Sequence, residues 1–161
     1  MTTTDKVLER YRRALIAEAR AALTEIIERW GPLQRIVIAG TGGRNFLNLK
    51  FLDLSMQPIK SILNPSFITH GNATGADKLL GFWARSNSVG ERALPITKAD
   101  WERFRKAAGP RRNQAILDSQ PRPHAVVAMP GGSGTADMVC RSRQQGFPVI
   151  DTEEIWNGCL D

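Results

Sequence analysis

Apolar positions along this chain change period near residue 31. Up to that point they recur at helical spacing: Leu8, Tyr11, Leu15, Ala19, Ala22, Leu23, Ile26, Ile27 and Trp30 fall on one stripe. The spacing predicts an amphipathic helix over 5–30, capped by Thr4 or Asp5 and ended by Gly31-Pro32. Further on, short apolar runs alternate with helical stretches. The runs at 35–39, 67–70, 93–96, 125–129 and 147–150 predict five strands. Residues 47–63, 76–88, 100–106, 110–119, 134–145 and 152–158 predict helices. The first of these is disturbed at Pro58, and Gly109-Pro110 divides the third from the fourth. A repeated strand–helix order implies an α/β fold with a parallel sheet of about five strands, helices on both faces, and the N-terminal helix added to it.

Ligands of such sheets bind beyond the carboxyl ends of the strands. Three glycine-rich loops fall there, at 40–44, 71–75 and 130–135. The last, Pro130-Gly131-Gly132-Ser133-Gly134-Thr135, leaves a buried strand and opens a helix. Free backbone N–H groups and a helix N-terminus coincide in such a turn, and both favour an anion. Glycines let a ligand approach the backbone closely, and Ser133 and Thr135 add hydroxyl donors. The same pattern also fits a tight strand-to-helix turn with no ligand.

The length of 161 residues suits one core, and 42% hydrophobic with 24% charged residues is ordinary for a globular chain. No apolar run approaches the roughly 20 residues of a membrane span, and Met-Thr-Thr-Thr-Asp lacks a signal pattern. These features predict a cytoplasmic protein with no membrane partner. Cys140 and Cys159 have neither zinc spacing nor a disulfide framework, which predicts two reduced thiols. The net charge of +6 is concentrated downstream, in Lys98, Arg103, Arg105, Lys106, Arg111, Arg112 and Arg122. That run fits a solvated face, an anionic ligand or nucleic acid. The apolar stripe of the first helix packs on the domain's own sheet or pairs with a second subunit; at about six turns it is more than a small sheet easily covers, and so predicts a homo-oligomer.

Several familiar sites are absent. A dinucleotide fingerprint starting at Gly40 would need glycine where Asn45 stands, and no Walker A lysine follows any loop. The sequence Gly131-Gly132-Ser133-Gly134-Thr135 ends in threonine where a nucleophile elbow needs glycine, and no histidine follows His124. His70 and His124 lie on or beside apolar strands and read as structural. With no cluster at ligand spacing, neither a metal nor a cofactor is expected.

Four segments carry a resemblance to a known family: Gly42-Gly43-Arg44-Asn45-Phe46; His70-Gly71-Asn72-Ala73-Thr74-Gly75-Ala76-Asp77; Ala99-Asp100-Trp101 with Ala108-Gly109-Pro110-Arg111-Arg112-Asn113; and Pro130 to Met138. In order and register, over roughly 34–151, the chain resembles the YspA-like (cpYpsA-related) SLOG family. Its superfamily includes Lonely Guy proteins and the DNA-processing protein Smf/DprA. The resemblance implies a Rossmann-like, nucleotide-ligand-binding domain over 34–161, with the N-terminal helix over 1–33 outside it.

In Lonely Guy-type proteins the P-G-G-x-G-T loop holds the phosphate of a nucleoside monophosphate. An arginine–lysine pair and a glutamate then support N-glycosidic cleavage. Here Arg112-Asn113 stands at the pair and Met138 at the glutamate, so Met138 should face the ligand and Asp137, one residue away and about 100° round the helix, should turn from it. The implied function is therefore binding, as a sensor or sequestering protein, of a nucleotide or nucleotide-derived small molecule. Pro130, Gly131, Gly132, Ser133, Gly134 and Thr135 would form the cradle, with Thr41, Gly42, Gly43, Arg44, Arg112 and Asn113 around it. Gly71 belongs to the second loop. Asn72 and Asp77 would accept from ribose or base, or Asp77 would cap its helix. Trp101 would stack on the base, or belong to the core. Two alternatives stay open. One is a phosphoribohydrolase acting on a nucleoside monophosphate or ADP-ribose-type compound, with Asp137, Asp77 or Arg112 in the chemistry. The other, less favoured, is nucleic-acid binding.

Overall fold

The computed structural model describes residues 1–160. Five strands form one parallel sheet: β1 (Val37–Thr41), β2 (Phe67–His70), β3 (Gly90–Ala93), β4 (Ala125–Ala128) and β5 (Val149–Asp151). Their spatial order is β3-β2-β1-β4-β5. The helices are α1 (Thr3–Trp30), α2 (Leu49–Leu63), α3 (Ala76–Ser86), α4 (Lys98–Phe104), α5 (Ala108–Leu117), α6 (Ser133–Gln144) and α7 (Thr152–Gly158). A single 3-10 turn, Arg105–Ala107, joins α4 to α5. The chain starts at the sheet centre, winds out through β2 to β3, then returns to the other side of β1. The reversal of winding at β1 therefore puts α2 and α3 on one face and α5 and α6 on the other, which makes the architecture Rossmann-like.

Strand alternation divides the core into two layers. Ile38, Ile68 and Val127 point into the layer covered by α1, α2 and α3. Ala39 and Val126 point into the smaller layer under α5 and α6, with Ile116, Leu117, Met138 and Phe147. His70 and His124 are structural, as expected. The fully buried His70 accepts the Asn72 N–H on Nδ1 (3.0 Å), so its proton sits on Nε2 and is donated to Glu91 (2.7 Å). His124 Nδ1 accepts the Val37 N–H at 3.0 Å. Cys140 and Cys159 are both free thiols. No helix among the described residues is long and apolar enough to cross a membrane.

The N-terminal helix docks within its own domain: Tyr11, Leu15, Ala19, Ala22 and Ile26 are buried in the same core as Ile38, Leu52, Met56 and Ile59, while Ile27 and Trp30 at the end of the stripe stay exposed. Most of the stripe thus has an intramolecular partner. Along the chain α2 and α7 flank the strip of sheet that α1 covers, so one helix finds a ready groove. Tyr11 marks the depth of that docking. Its hydroxyl donates to Ser55 Oγ (2.6 Å), which in turn donates to the Phe51 carbonyl (2.8 Å). Burial pushes the phenol up to about 12. The cap is Thr2 and not Thr4 or Asp5, though Asp5 completes a capping box with it.

Smaller differences have local causes. The third strand lies at 90–93 and not at the apolar run 93–96. It is an edge strand, where Glu91 and Arg92 are tolerated, and Pro95 has no N–H to give a ladder. β1 starts two residues later than its apolar run and β5 likewise begins at Val149. Helix α2 runs through a buried Pro58 without interruption. Gly109-Pro110 lies in the first turn of α5, where a missing N–H costs nothing, and the break falls at Arg105 (φ 52°).

If α1 is integral to the domain, Leu15→Ala should lower unfolding stability by about 2–5 kcal/mol, the range for a fully buried leucine. Urea titration measures it. A loss below about 1 kcal/mol would make the helix a detachable appendage.

Candidate functional site

The neighbours β1 and β4 send their following helices, α2 and α6, to opposite faces of the sheet. The loops beyond them diverge and open a cleft of about 920 Å³ at this switch point. Backbone hydrogen bonds set the loops in place. The Gly43 N–H donates to the Pro130 carbonyl (2.9 Å), and the Gly43 carbonyl accepts from Phe46 (3.2 Å) and Ala76 (3.0 Å). Gly75 has φ 83° and packs against the Gly43 and Arg44 carbonyls, a conformation and a proximity that exclude a side chain.

Helix α6 begins at Ser133 with Gly132 at the N-cap and no side-chain cap. Its first capping-turn bond runs from the Ala136 N–H to the Gly132 carbonyl (3.0 Å), so the N–H groups of Ser133, Gly134 and Thr135 precede the helical ladder. Residues 131–134 are exposed to solvent. The two central glycines differ in role. A Cβ on Gly131 would strike the Gly43 nitrogen at 2.6 Å and collide with Thr135, so Gly131 serves loop packing. A Cβ on Gly132 would meet nothing within 4 Å and would occupy the open mouth of the cradle.

Arg44, Lys106 and Arg112 bring three cations to the cleft wall. Arg112 is half-buried and partly committed: Nη1 donates to the Gly71 carbonyl (2.9 Å), while its buried Nε has no partner. Burial depresses its pKa, the charge of Asp77 opposing and that of Arg44 adding to the depression. Asp77 is 4% exposed and lies in the same wall. Its helix is capped by Gly75, and the carboxylate instead reaches back to the Ala73 N–H (3.1 Å). Burial raises its pKa against that bond and the Arg112 charge.

The structure corrects the expected phase of α6. Met138 is fully buried under the helix and does not face the cleft; Asp137 does. The core-facing positions of α6 are 138, 139 and 142, which leaves 137 beside α5. There Asn113 bridges the two helices, donating to Asp137 (2.9 Å) and to the Gly134 carbonyl (3.2 Å). Arg141 grips Asp137 through Nε (3.2 Å) and Nη2 (3.1 Å). Burial pushes the Asp137 carboxyl up, but bonds from Arg141 and Asn113 outweigh it and hold its pKa below the ordinary value.

Of the residues expected from sequence, Thr41, Gly42, Gly43, Arg44, Asp77, Arg112, Asn113 and the whole of 130–135 line this cleft. Gly71, Asn72 and Trp101 do not. The Gly71 carbonyl holds Arg112, and Asn72 (φ 55°) turns its N–H onto His70. Trp101 is 41% exposed, with the Arg44 guanidinium 5.8 Å from its ring. Lys106 and Phe46 are lining residues that sequence reasoning missed. Lys106 was legible only as one member of the basic run, and Phe46 as the apolar residue that closes the first glycine loop. No group of His, Cys, Asp or Glu among the described residues is placed to hold a metal ion. No family model, curated protein or solved structure matches the chain.

The glycine geometry separates two substitutions. Gly132→Val should leave the thermal midpoint unchanged and abolish binding of ribose 5-phosphate. Gly131→Val should lower both. Calorimetry for binding and scanning fluorimetry for stability measure the pair; unchanged affinity in Gly132→Val would remove this loop from any binding site.

Proposed function

We propose that the chain binds the phosphate of a nucleotide or nucleotide-derived small molecule, as a sensing or sequestering module. One observation carries this reading: the uncapped, solvent-open N-terminus of α6 lies at the β1/β4 switch point and faces Arg44, Lys106 and Arg112. Helix-terminal N–H groups, a favourable dipole and cations then converge on one anion. The two acids of the cleft reduce that field without cancelling it: Asp137 is balanced by Arg141, and Asp77 offsets the neighbouring Arg112, which leaves Arg44 and Lys106 in excess. The SLOG resemblance assigns the same loop to phosphate.

Hydrolysis deserves weighing because Asp137 lines the cleft. A general acid must hold a proton near the operating pH. Two hydrogen bonds from Arg141 hold the Asp137 carboxyl below its ordinary value, which suits a helix-tethering ion pair better than proton donation. The reading is therefore binding without proton donation from Asp137; Asp77, whose carboxyl burial pushes up, is the other carboxylate of the cleft wall, and base release that survives Asp137→Asn would assign the chemistry to it.

Calorimetry with AMP and ribose 5-phosphate tests the reading. Lys106→Ala should weaken AMP roughly threefold to tenfold, the scale of one partly screened charge-assisted bond. Arg122→Ala, away from the cleft wall, should change nothing. Affinity should fall only modestly from about 50 to 200 mM salt, where binding to a nucleic-acid backbone falls steeply. Free base should not appear during overnight incubation. Equal losses from both variants would favour diffuse electrostatics, and base release abolished by Asp137→Asn would make the protein an N-glycosidic hydrolase.

A further inference from the structure

A second hollow adjoins the cleft across Pro130. It measures about 440 Å³ and opens between residues 45–48, the first turn of α2, and α7. Phe46, Phe51 and Trp156 form its aromatic walls. These rings are fixed from beneath. Phe46 meets Phe51 edge-on at 6.2 Å, and Phe51 meets Trp156 edge-on at 5.8 Å. The fully buried Tyr11 ring supports both Phe51 (5.5 Å) and Trp156 (5.2 Å). Around the aromatic floor stand Asn45, Asn157 and Glu153, whose side chains hold no hydrogen bond among the described residues. Asn48, by contrast, is occupied in capping α2.

Two features identify what this hollow takes. It borders the cleft, since Asn45, Phe46 and Pro130 line both. Its chemistry is that of a flat apolar ring with a polar edge: rigid aromatic faces for stacking, amides that donate and accept, and a carboxylate that accepts from an amino group or ring N–H. We propose that it is a nucleobase subsite. The base lies against Phe46 and Trp156 while the phosphate occupies the cradle at 132–135. The ligand is therefore a nucleoside phosphate that keeps an aromatic base, and not a bare sugar phosphate. The proposal rests on the phosphate-binding reading above and replaces Trp101 as the surface that meets the base.

The test compares AMP, GMP and CMP with ribose 5-phosphate by calorimetry. At least one nucleotide should bind tenfold or more tightly than ribose 5-phosphate, the scale of a base stacked on aromatic side chains. Phe46→Ala should reduce that nucleotide to the ribose 5-phosphate level. Because Phe46 also packs on the core, a second variant fills the hollow from its exposed rim: Asn157→Trp should block the nucleotide and spare ribose 5-phosphate. Ribose 5-phosphate binding as tightly as every nucleotide, or an Asn157→Trp protein that binds nucleotide normally, would overturn the base subsite and leave the phosphate reading intact. No binding of any of the four compounds would overturn both. An Asn157→Trp change that alters the sedimentation coefficient but not nucleotide affinity would make the hollow an interface between copies, and would also overturn the proposal.

Discussion

The peptide of Gly43 is the point on which the site depends. Its N–H reaches Pro130 after β4 and its carbonyl reaches Ala76 at the start of α3. One residue thereby fixes the relative positions of three loops that follow three different strands. Such contact needs backbones closer than side chains permit. A Cβ on Gly43 would lie 2.9 Å from the Gly131 Cα and 3.0 Å from the Pro130 carbonyl. The glycines at 43, 75 and 131 therefore act first on packing, and through packing on the cradle. By contrast, a Cβ on the exposed Gly132 or Gly134 would meet nothing within 4 Å.

A second consequence concerns charge. The cleft holds acids and bases at close quarters, but its acids already have partners within the protein. Asp77 closes the 73–77 loop and lies beside Arg112, which in turn holds the Gly71 carbonyl. Asp137 ties α6 to α5 through Asn113 and to its own helix through Arg141. Removing any one of these groups would leave a desolvated partner behind, so their first contribution is to loop geometry. Arg44 and Lys106 stand exposed at the rim, away from both carboxylates' hydrogen bonds. The N-terminal helix enters the same account from the opposite face. Tyr11 supports the aromatic floor beside Pro130, so the docking of α1 reaches the neighbourhood of the cradle.

The parallel sheet was legible because its central strands are solid apolar runs, Ile36–Ala39 and Ala125–Met129, each ending in glycines. The edge strand was not, because Glu91 and Arg92 satisfy an edge and break the apolar signal. The stripe of α1 disclosed that it would be buried but not against what, since helix periodicity is the same for an intramolecular and an intermolecular partner. The glycine-rich turn that opens α6 was legible in full. The surroundings of Arg112 were not: a backbone carbonyl 41 residues away and the Asp77 carboxylate leave no local trace. The phase of α6 was misjudged for a similar reason. Met138 is drawn under the helix by Ala39 and Val126, long-range contacts that carry Asp137 to the cleft.

The central claim is that the α6 N-terminus receives an anion. Its most direct test is a titration of 15N-labelled protein with ribose 5-phosphate, followed by amide chemical shifts. The account predicts that the resonances of Gly132, Ser133, Gly134 and Thr135 move first and furthest, with saturation at one equivalent. Shifts confined to the basic segment 103–111, with the 132–135 amides unmoved, would contradict it.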